Sequence, residues 1–333
     1  MRNKLSFKGN NSFYIRSGWI EKGIHAIVEH PGVNIFDKVK GREILGIGAN
    51  MVKALEYWMR ASNLIEGKSD EIELSELGRL ICNFDPYMES LFSWYLVHYF
   101  LTINIESNPI GYVIFNSHVL SLTTDNNETV KFICEYLKRK GYELNMEDKK
   151  LMERIESDLE VFYKSYTNEH LKDRIIDPEE NLKCPLANLG LLTTYNILSN
   201  KKGYYKHPTC CLSGNLLDLN YNHLITYYAI CELYKGKNSF IIEDLMEEEQ
   251  SPIAIFNLRK GDLYEHLRKC QIDGLCTINT TAGLNVAYIE KSINLSDIYK
   301  AKYRLRWDSY KCGMRDKKAK DSKIEKYEQL TLF

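Results

Sequence analysis

Apolar residues recur three and four positions apart through most of the chain, broken by short polar or glycine-marked stretches, the pattern of a mainly helical protein. Behind Ser17-Gly18-Trp19, a stripe of Ile20, Ile24, Ile27 and Val28 predicts a first helix, which Pro31-Gly32 punctuates. A short helix is expected over Gly41 to Leu45, a tight glycine turn at Gly46-Ile47-Gly48, and an amphipathic helix over Ala49 to Asn63. Its inward stripe is Val52, Leu55 and Met59, with Trp58 beside it. Leu64-Ile65-Glu66-Gly67 and the alternating Glu71-Ile72-Glu73-Leu74 read as two strands of a hairpin. Helix, glycine turn, helix and two-strand wing is the layout of a winged helix-turn-helix.

Leu91 to Ile103 is the most apolar stretch, shorter than the ~20 residues of a membrane span and interrupted by His98, so it reads as a buried helix. Further helices are expected over Thr129 to Gly141, Met146 to Ser165 and Tyr221 to Tyr234. A second winged-helix unit is expected from Ser239 to Glu290. Ser251-Pro252 caps one helix, Lys260-Gly261-Asp262 makes a turn, and Leu263, Leu267 and Cys270 stripe the next helix. Strands at Leu275 to Ile278 and Asn285 to Ile289 flank Thr281-Ala282-Gly283. The fold class is therefore mainly α, with winged helix-turn-helix units and small β wings joined by helical bundle segments. The expected divisions are an N-terminal winged-helix domain over 1–85, a helical middle over 86–176, a C-terminal helical domain over 177–300 and a basic tail over 301–333.

Composition narrows the class without naming a partner. The 333 residues are long enough for two or three domains, and 44% hydrophobic with 27% charged residues is a globular balance. A formal charge of −1 favours no polyanion overall, but residues 301–333 hold ten Lys/Arg against five Asp/Glu. Such a tail adds sequence-independent affinity for phosphate, or is a solvated helix. Nine scattered cysteines without a paired framework, and no signal peptide, place the chain in a reducing cytoplasm with no membrane partner.

DNA contact is expected first from the polar face of the helix over Ala49 to Asn63. Asn50, Lys53, Tyr57 and Arg60 follow one another at i, i+3, i+7 and i+10, opposite the apolar stripe. Asparagine reads adenine, and arginine or lysine reads guanine or holds a phosphate. Arg259, Lys260, Arg268 and Lys269 form a weaker set in the second unit, diluted by Glu265. Against both stands an ordinary surface helix, or a winged helix that grips protein.

Other chemistry is poorly supported. Cys184, His207, Cys210 and Cys211 carry zinc-binding atoms, but adjacent cysteines rarely ligate one ion and buried thiols are the simpler reading. Asp177, Glu179 and Glu180, or Glu243 and Asp244, offer carboxylates for magnesium without the lysine-bearing strand of a nuclease core. The sequence contains no phosphate-cradling glycine loop, nucleophile elbow or His-Glu-x-x-His. No cofactor is expected, and magnesium only if the chain is a nickase.

Four segments carry a resemblance: FKGNNSFYIRSGW (7–19), LGIGANMVKALEYWMRASNLI (45–65), DPEENLKCPLANLGLL (177–192) and the closing LTLF (330–333). Together they resemble a bacterial family catalogued as a domain of unknown function and found beside sulfur-transfer genes of DNA phosphorothioation and phage-defence systems, with the SspB component of Ssp systems among its relatives. The resemblance implies a DNA-linked role in modification or defence, alongside sulfur-transfer or ATP-using partner proteins, with DNA nicking implied for the SspB-like branch. In that family the first segment commonly reads Gly-His-Glu-Thr-Phe, whereas here Gly9 is followed by Asn10, Asn11, Ser12 and Phe13. Any chemistry carried by that histidine and glutamate is absent here. The expected function is a DNA-binding component of such a system. The alternatives are a metal-dependent nickase, or a transcriptional regulator or docking scaffold built on winged helices.

Overall fold

The computed structural model describes residues 5–68, 71–117, 119–122, 125–167, 183–197, 201–206, 221–281 and 283–303. Among them the protein is mainly helical, with three small antiparallel sheets.

The N-terminal unit packs α1 (Trp19–Glu29), α2 (Lys40–Leu45) and α3 (Ala49–Ala61) around one apolar centre. Helix α1 approaches α3 at Gly23, where a Cβ would stand 2.4 Å from the Met59 sulfur. Helix α2 ends at Gly46, whose φ of 64° suits glycine and whose N–H closes on the Arg42 carbonyl at 3.0 Å. Helix α3 buries Val52, Ala54, Leu55, Trp58, Met59 and Ala61, the inward stripe expected from its spacing. A two-residue hairpin follows, β1 (Ile65–Glu66) with β2 (Glu73–Leu74), Ile65 opposite Leu74. Helix α4 (Glu76–Phe84) then starts on Ser75, whose hydroxyl accepts from the Gly78 N–H.

Helix α5 (Leu91–Ile103) has no polar face: Phe92 to Tyr99 are all buried, as are Leu101 and Thr102. It lies at the centre, against α6 (Pro109–Asn116), α9 (Lys149–Thr167) and α10 (Asn222–Leu233). Helices α7 (Val119–Leu122) and α8 (Asn126–Arg139) cover α6. The hairpin β3 (Leu192–Ile197) with β4 (Lys201–Lys206) lies beyond a single 3₁₀ turn at Pro185–Leu189. Helix α10 is buried from Asn222 to Cys231 and belongs to the core.

The C-terminal unit combines β5 (Ser239–Ile241), α11 (Pro252–Phe256), α12 (Lys260–Ile272), β6 (Cys276–Thr281) and β7 (Leu284–Ile289), with sheet order β5-β7-β6. Its own small core of Phe240, Ile242, Leu245, Leu263, Leu267 and Ala287 closes on Ile230 and Tyr234 of the α10 region. Ser251 caps α11 as expected, its hydroxyl accepting from the Ala254 N–H. Lys260-Gly261-Asp262 is not a turn. These residues form the first turn of α12, and the chain reverses earlier, at left-handed Asn257. Asp262 turns back to Arg259, which begins the helix in an extended conformation, so the glycine is absorbed by a well-anchored N-terminus.

A final helix, α13 (295–303), returns to the α4–α5 junction, with Tyr299 donating to Ser93 at 3.1 Å and stacking near Phe84 and Phe92. One buried cluster consequently has members from Tyr14 to Tyr303, on both sides of the expected divisions. Of the expected tail at 301–333, residues 301–303 end α13 and 304–333 lie outside the described residues, as do Asp177, Glu179 and Glu180.

Leu55 is fully buried in that cluster. Truncation to alanine is expected to lower the unfolding free energy by about 2–5 kcal/mol. Denaturant titration checks this, and an unchanged midpoint would show that α3 does not belong to the core.

A candidate nucleic-acid interface

Helix α3 presents an outward face only over its first two turns. Asn50 and Lys53 are exposed there, following the turn at Gly46–Gly48. Gly48 offers no side-chain cap and the first turn contains no acid, so the positive end of the helix is uncompensated. The other two residues of the expected face have inward partners. Tyr57 covers Gly9, where a Cβ would lie 2.3 Å from its ring, and its hydroxyl donates to the Ser107 carbonyl at 2.7 Å. Arg60 pairs with Glu56 at 3.0 Å and donates to the Gly67 carbonyl at 2.8 Å, bracing the hairpin. The helical period places all four on one side, but segment 8–13 and the loop at 105–107 cover that side further along.

That covering segment is tightly built. Lys8, Asn11 and Ser12 take left-handed conformations, and the Trp58 indole donates to the Phe13 carbonyl at 2.9 Å. Asn10 is buried: its amide donates to Asp158 of α9 at 2.8 Å, and its oxygen accepts from the Ser12 N–H. The Lys8 N–H also donates to Asp158, at 2.7 Å. Asn10 thus acts as a clasp between the N-terminal segment and the central helices. Burial pushes the Asp158 carboxyl up to about 6, against the lowering effect of both donors.

A cleft of about 640 Å³ opens beside the α3 N-terminus, lined by cations from three separate segments, Arg16, Lys22 and Arg42. The Arg16 guanidinium lies 5.7 Å from the Phe13 ring centre and 5.6 Å from that of Trp19. Glu43 is the one acid on the lining among the described residues; Val39, Ile47, Met51 and Gly48 line it too, beside Ser17, Trp19 and Gly46. Sequence reasoning passed over these cations because they share no element and no period.

In the C-terminal unit, Arg268 is exposed. Arg259 is engaged by both oxygens of Asp262, at 2.8 and 3.0 Å, Lys269 pairs with Glu265 at 3.2 Å, and Lys260 lies 5.9 Å from the Tyr264 ring centre. This face is cationic but internally neutralised. Of the other acids considered, Glu243 accepts from Asn285 and Tyr264, which hold its carboxyl down to about 2. Cys184 is a buried thiol pushed up to about 12 by desolvation, while His207, Cys210 and Cys211 lie outside the described residues. Among the described residues no three His, Cys, Asp or Glu side chains gather where a metal ion could be held, and no helix is long and apolar enough to cross a membrane.

Fold and surface together define a helical protein with two small helix-and-hairpin units on a shared core. Residues 7–303 match the model of the family described as "Protein of unknown function (DUF4007)", and the chain belongs to that family. This agrees with the resemblance seen in its sequence segments. No curated protein matches the chain. Among solved structures, it is similar to a magnesium ion-bound SspB crystal structure, with TM-score 0.67 and 19% identity over 98% of this chain and 94% of that one. A second SspB crystal structure gives TM-score 0.66 at the same identity and coverage. At this identity the likeness is one of fold.

The Asp158 clasp generates a pH prediction. Its folded value of about 6 exceeds the ordinary 3.8, so the stability it contributes is fully present below about 3.8 and is lost as pH rises through about 6. Wild type is therefore expected to lose up to about 3 kcal/mol relative to Asp158→Asn between pH 4 and 7. Unfolding free energies of both proteins across that range test this, and a pH-independent difference between them would refute it.

Proposed function

We propose that this protein is a DNA-binding component of a phosphorothioation-type modification or phage-defence system, and that it engages DNA through a winged helix-turn-helix at its N-terminus. The observation that carries the reading is the α3 entry. A glycine turn delivers an uncapped helix N-terminus with Asn50 and Lys53 exposed, and the β1–β2 hairpin is braced to the same helix by Arg60. Helix, turn, helix and hairpin in that order is how such modules enter a major groove. The C-terminal unit, with sheet order β5-β7-β6 around α11 and α12, is read as a second winged helix whose DNA contacts centre on exposed Arg268. The system context rests on family membership and on the fold shared with SspB structures. In it, sulfur-transfer or ATP-using proteins would be the partners and would perform the sulfur chemistry.

A second reading, magnesium-dependent nicking, is favoured by the magnesium ion bound in one of the similar SspB structures. The described residues fit that metal poorly. The buried carboxylate Asp158 already accepts two N–H donors, Glu243 accepts from Asn285 and Tyr264, and Asn10 and Asn11 stand where the family pattern has histidine and glutamate. Plasmid relaxation by the purified chain with and without magnesium is expected to show little or no nicking; robust magnesium-dependent nicking would replace the first reading with the second.

DNA binding itself is tested by fluorescence anisotropy across a salt series. Lys53→Ala is expected to weaken binding to all sequences alike and lower the salt slope by about one. Asn50→Ala should instead change sequence preference, costing about 1–3 kcal/mol at the base it reads. Equal affinity and slope for wild type and both folded variants would show that α3 does not touch DNA, and would make the module a protein-docking one.

A further inference from the structure

The cationic cleft differs from the outward face of α3 in shape, and shape decides what it can hold. A duplex phosphate rides on a convex or flat surface, whereas this site is concave. At about 640 Å³ it lies within the size range of small-molecule pockets, roughly 300–1,000 Å³, and is larger than a lone phosphate requires. Its lining is divided by chemistry. Among the described residues, the lining carries Arg16, Lys22 and Arg42 and one acid, Glu43. Lys22 and Arg42 are exposed and have no ion-pair partner among the described residues. Arg16 is held in place by the Phe13 and Trp19 rings. Val39, Ile47 and Met51 supply apolar surface on the same lining, and Val39 is 66% exposed.

Cations beside apolar side chains complement the two parts of one nucleotide, an anionic phosphate and an apolar base face. We propose that the cleft receives a single unstacked nucleotide of a bound DNA strand, its phosphate on Arg16, Lys22 and Arg42 and its base against Val39, Ile47 and Met51. The inference rests on the DNA-binding reading above and names the state of DNA preferred, one with a nucleotide out of the stack. Proteins reach such nucleotides by placing the base among apolar or aromatic side chains and holding the backbone electrostatically. Gly48 contributes by what it lacks. Its backbone, φ −63° and ψ 151°, is that of a helix N-cap, and a Cβ there would meet nothing closer than the Met51 sulfur at 4.0 Å. A capping side chain would fit the protein, so its absence leaves the helix end open to an external anion.

That openness provides a test in which folding and binding move apart. Gly48→Asp should cap α3 and leave the melting temperature equal to wild type or higher, while placing a carboxylate where the phosphate would lie. Arg42→Glu reverses one charge at an exposed position. The probes are a paired duplex, the same duplex with one bulged nucleotide, and a third with an abasic bulge, measured by anisotropy on the full chain. Wild type is expected to bind the bulged probe about tenfold more tightly than the duplex, with the abasic bulge between them. Both variants should lose this preference and bind the bulged probe like the duplex. Equal binding of all three probes by wild type, or a preference surviving both substitutions, overturns the nucleotide site while leaving DNA binding intact. No binding to any probe instead removes the DNA-binding reading itself.

Discussion

The architecture depends on a histidine that no solvent reaches. His98, at the middle of α5, accepts from the Tyr166 hydroxyl of α9 at its Nδ1, 2.7 Å away, and donates from Nε2 to the Ile255 carbonyl of α11 at 2.9 Å. A carbonyl can only accept, which fixes the tautomer, and burial lowers the imidazole pKa to about 4, so the ring is neutral. Phe115, Tyr166 and Phe256 surround it, with the Phe115 ring edge-on at 4.6 Å. Replacing it with an apolar residue would leave a buried hydroxyl and a buried carbonyl without a partner, which costs more than the packing regained. A central helix apolar on every side needs such a polar pin, because hydrophobic burial has no direction and cannot choose how α9 and the C-terminal unit are oriented against it.

The same economy of fixed polar contacts positions the two outer units. Asp158 ties the N-terminal segment to α9, and Glu249 gathers Lys140 of α8 and Tyr112 of α6 at the entrance to the C-terminal unit. These contacts are few and lie within or at the edge of a continuous apolar core, so each specifies a relative placement that many apolar contacts then stabilise. The N-terminal unit is thus not a bead on a linker. Segment 8–13, which clasps α9, also covers part of the α3 face, and its Phe13 ring lies 5.7 Å from the guanidinium of Arg16, a residue of the cationic cleft. Interior packing and surface recognition meet in one stretch of chain.

This arrangement explains why the candidate surface is compact and the formal charge of the whole chain uninformative. Arg259 and Lys269 are matched by acids of α12, whereas the cations around the α2–α3 turn come from separate segments and share one acid on the cleft lining among the described residues. Local field, not net charge, is what a phosphate meets at distances shorter than a Debye length of about 8–10 Å.

Much of the architecture was written in local pattern. The α3 stripe, the glycine turn, the buried α5, the Ser251 cap and the β6–β7 hairpin could all be read from spacing and turn chemistry, since each is decided within about a dozen neighbouring residues. Lys260-Gly261-Asp262 could not, because a glycine that looks like a breaker was overruled by the Arg259–Asp262 anchor. For the site, the sequence by itself determined that Asn50 and Lys53 share a polar helix face. Only the tertiary structure decided that Tyr57 and Arg60 are drawn away from it, that Asn10 is a clasp for Asp158, and that Arg16, Lys22 and Arg42 surround one cleft. The physical reason is that helical periodicity assigns a direction to each side chain but carries no information about what another part of the chain lays across that direction.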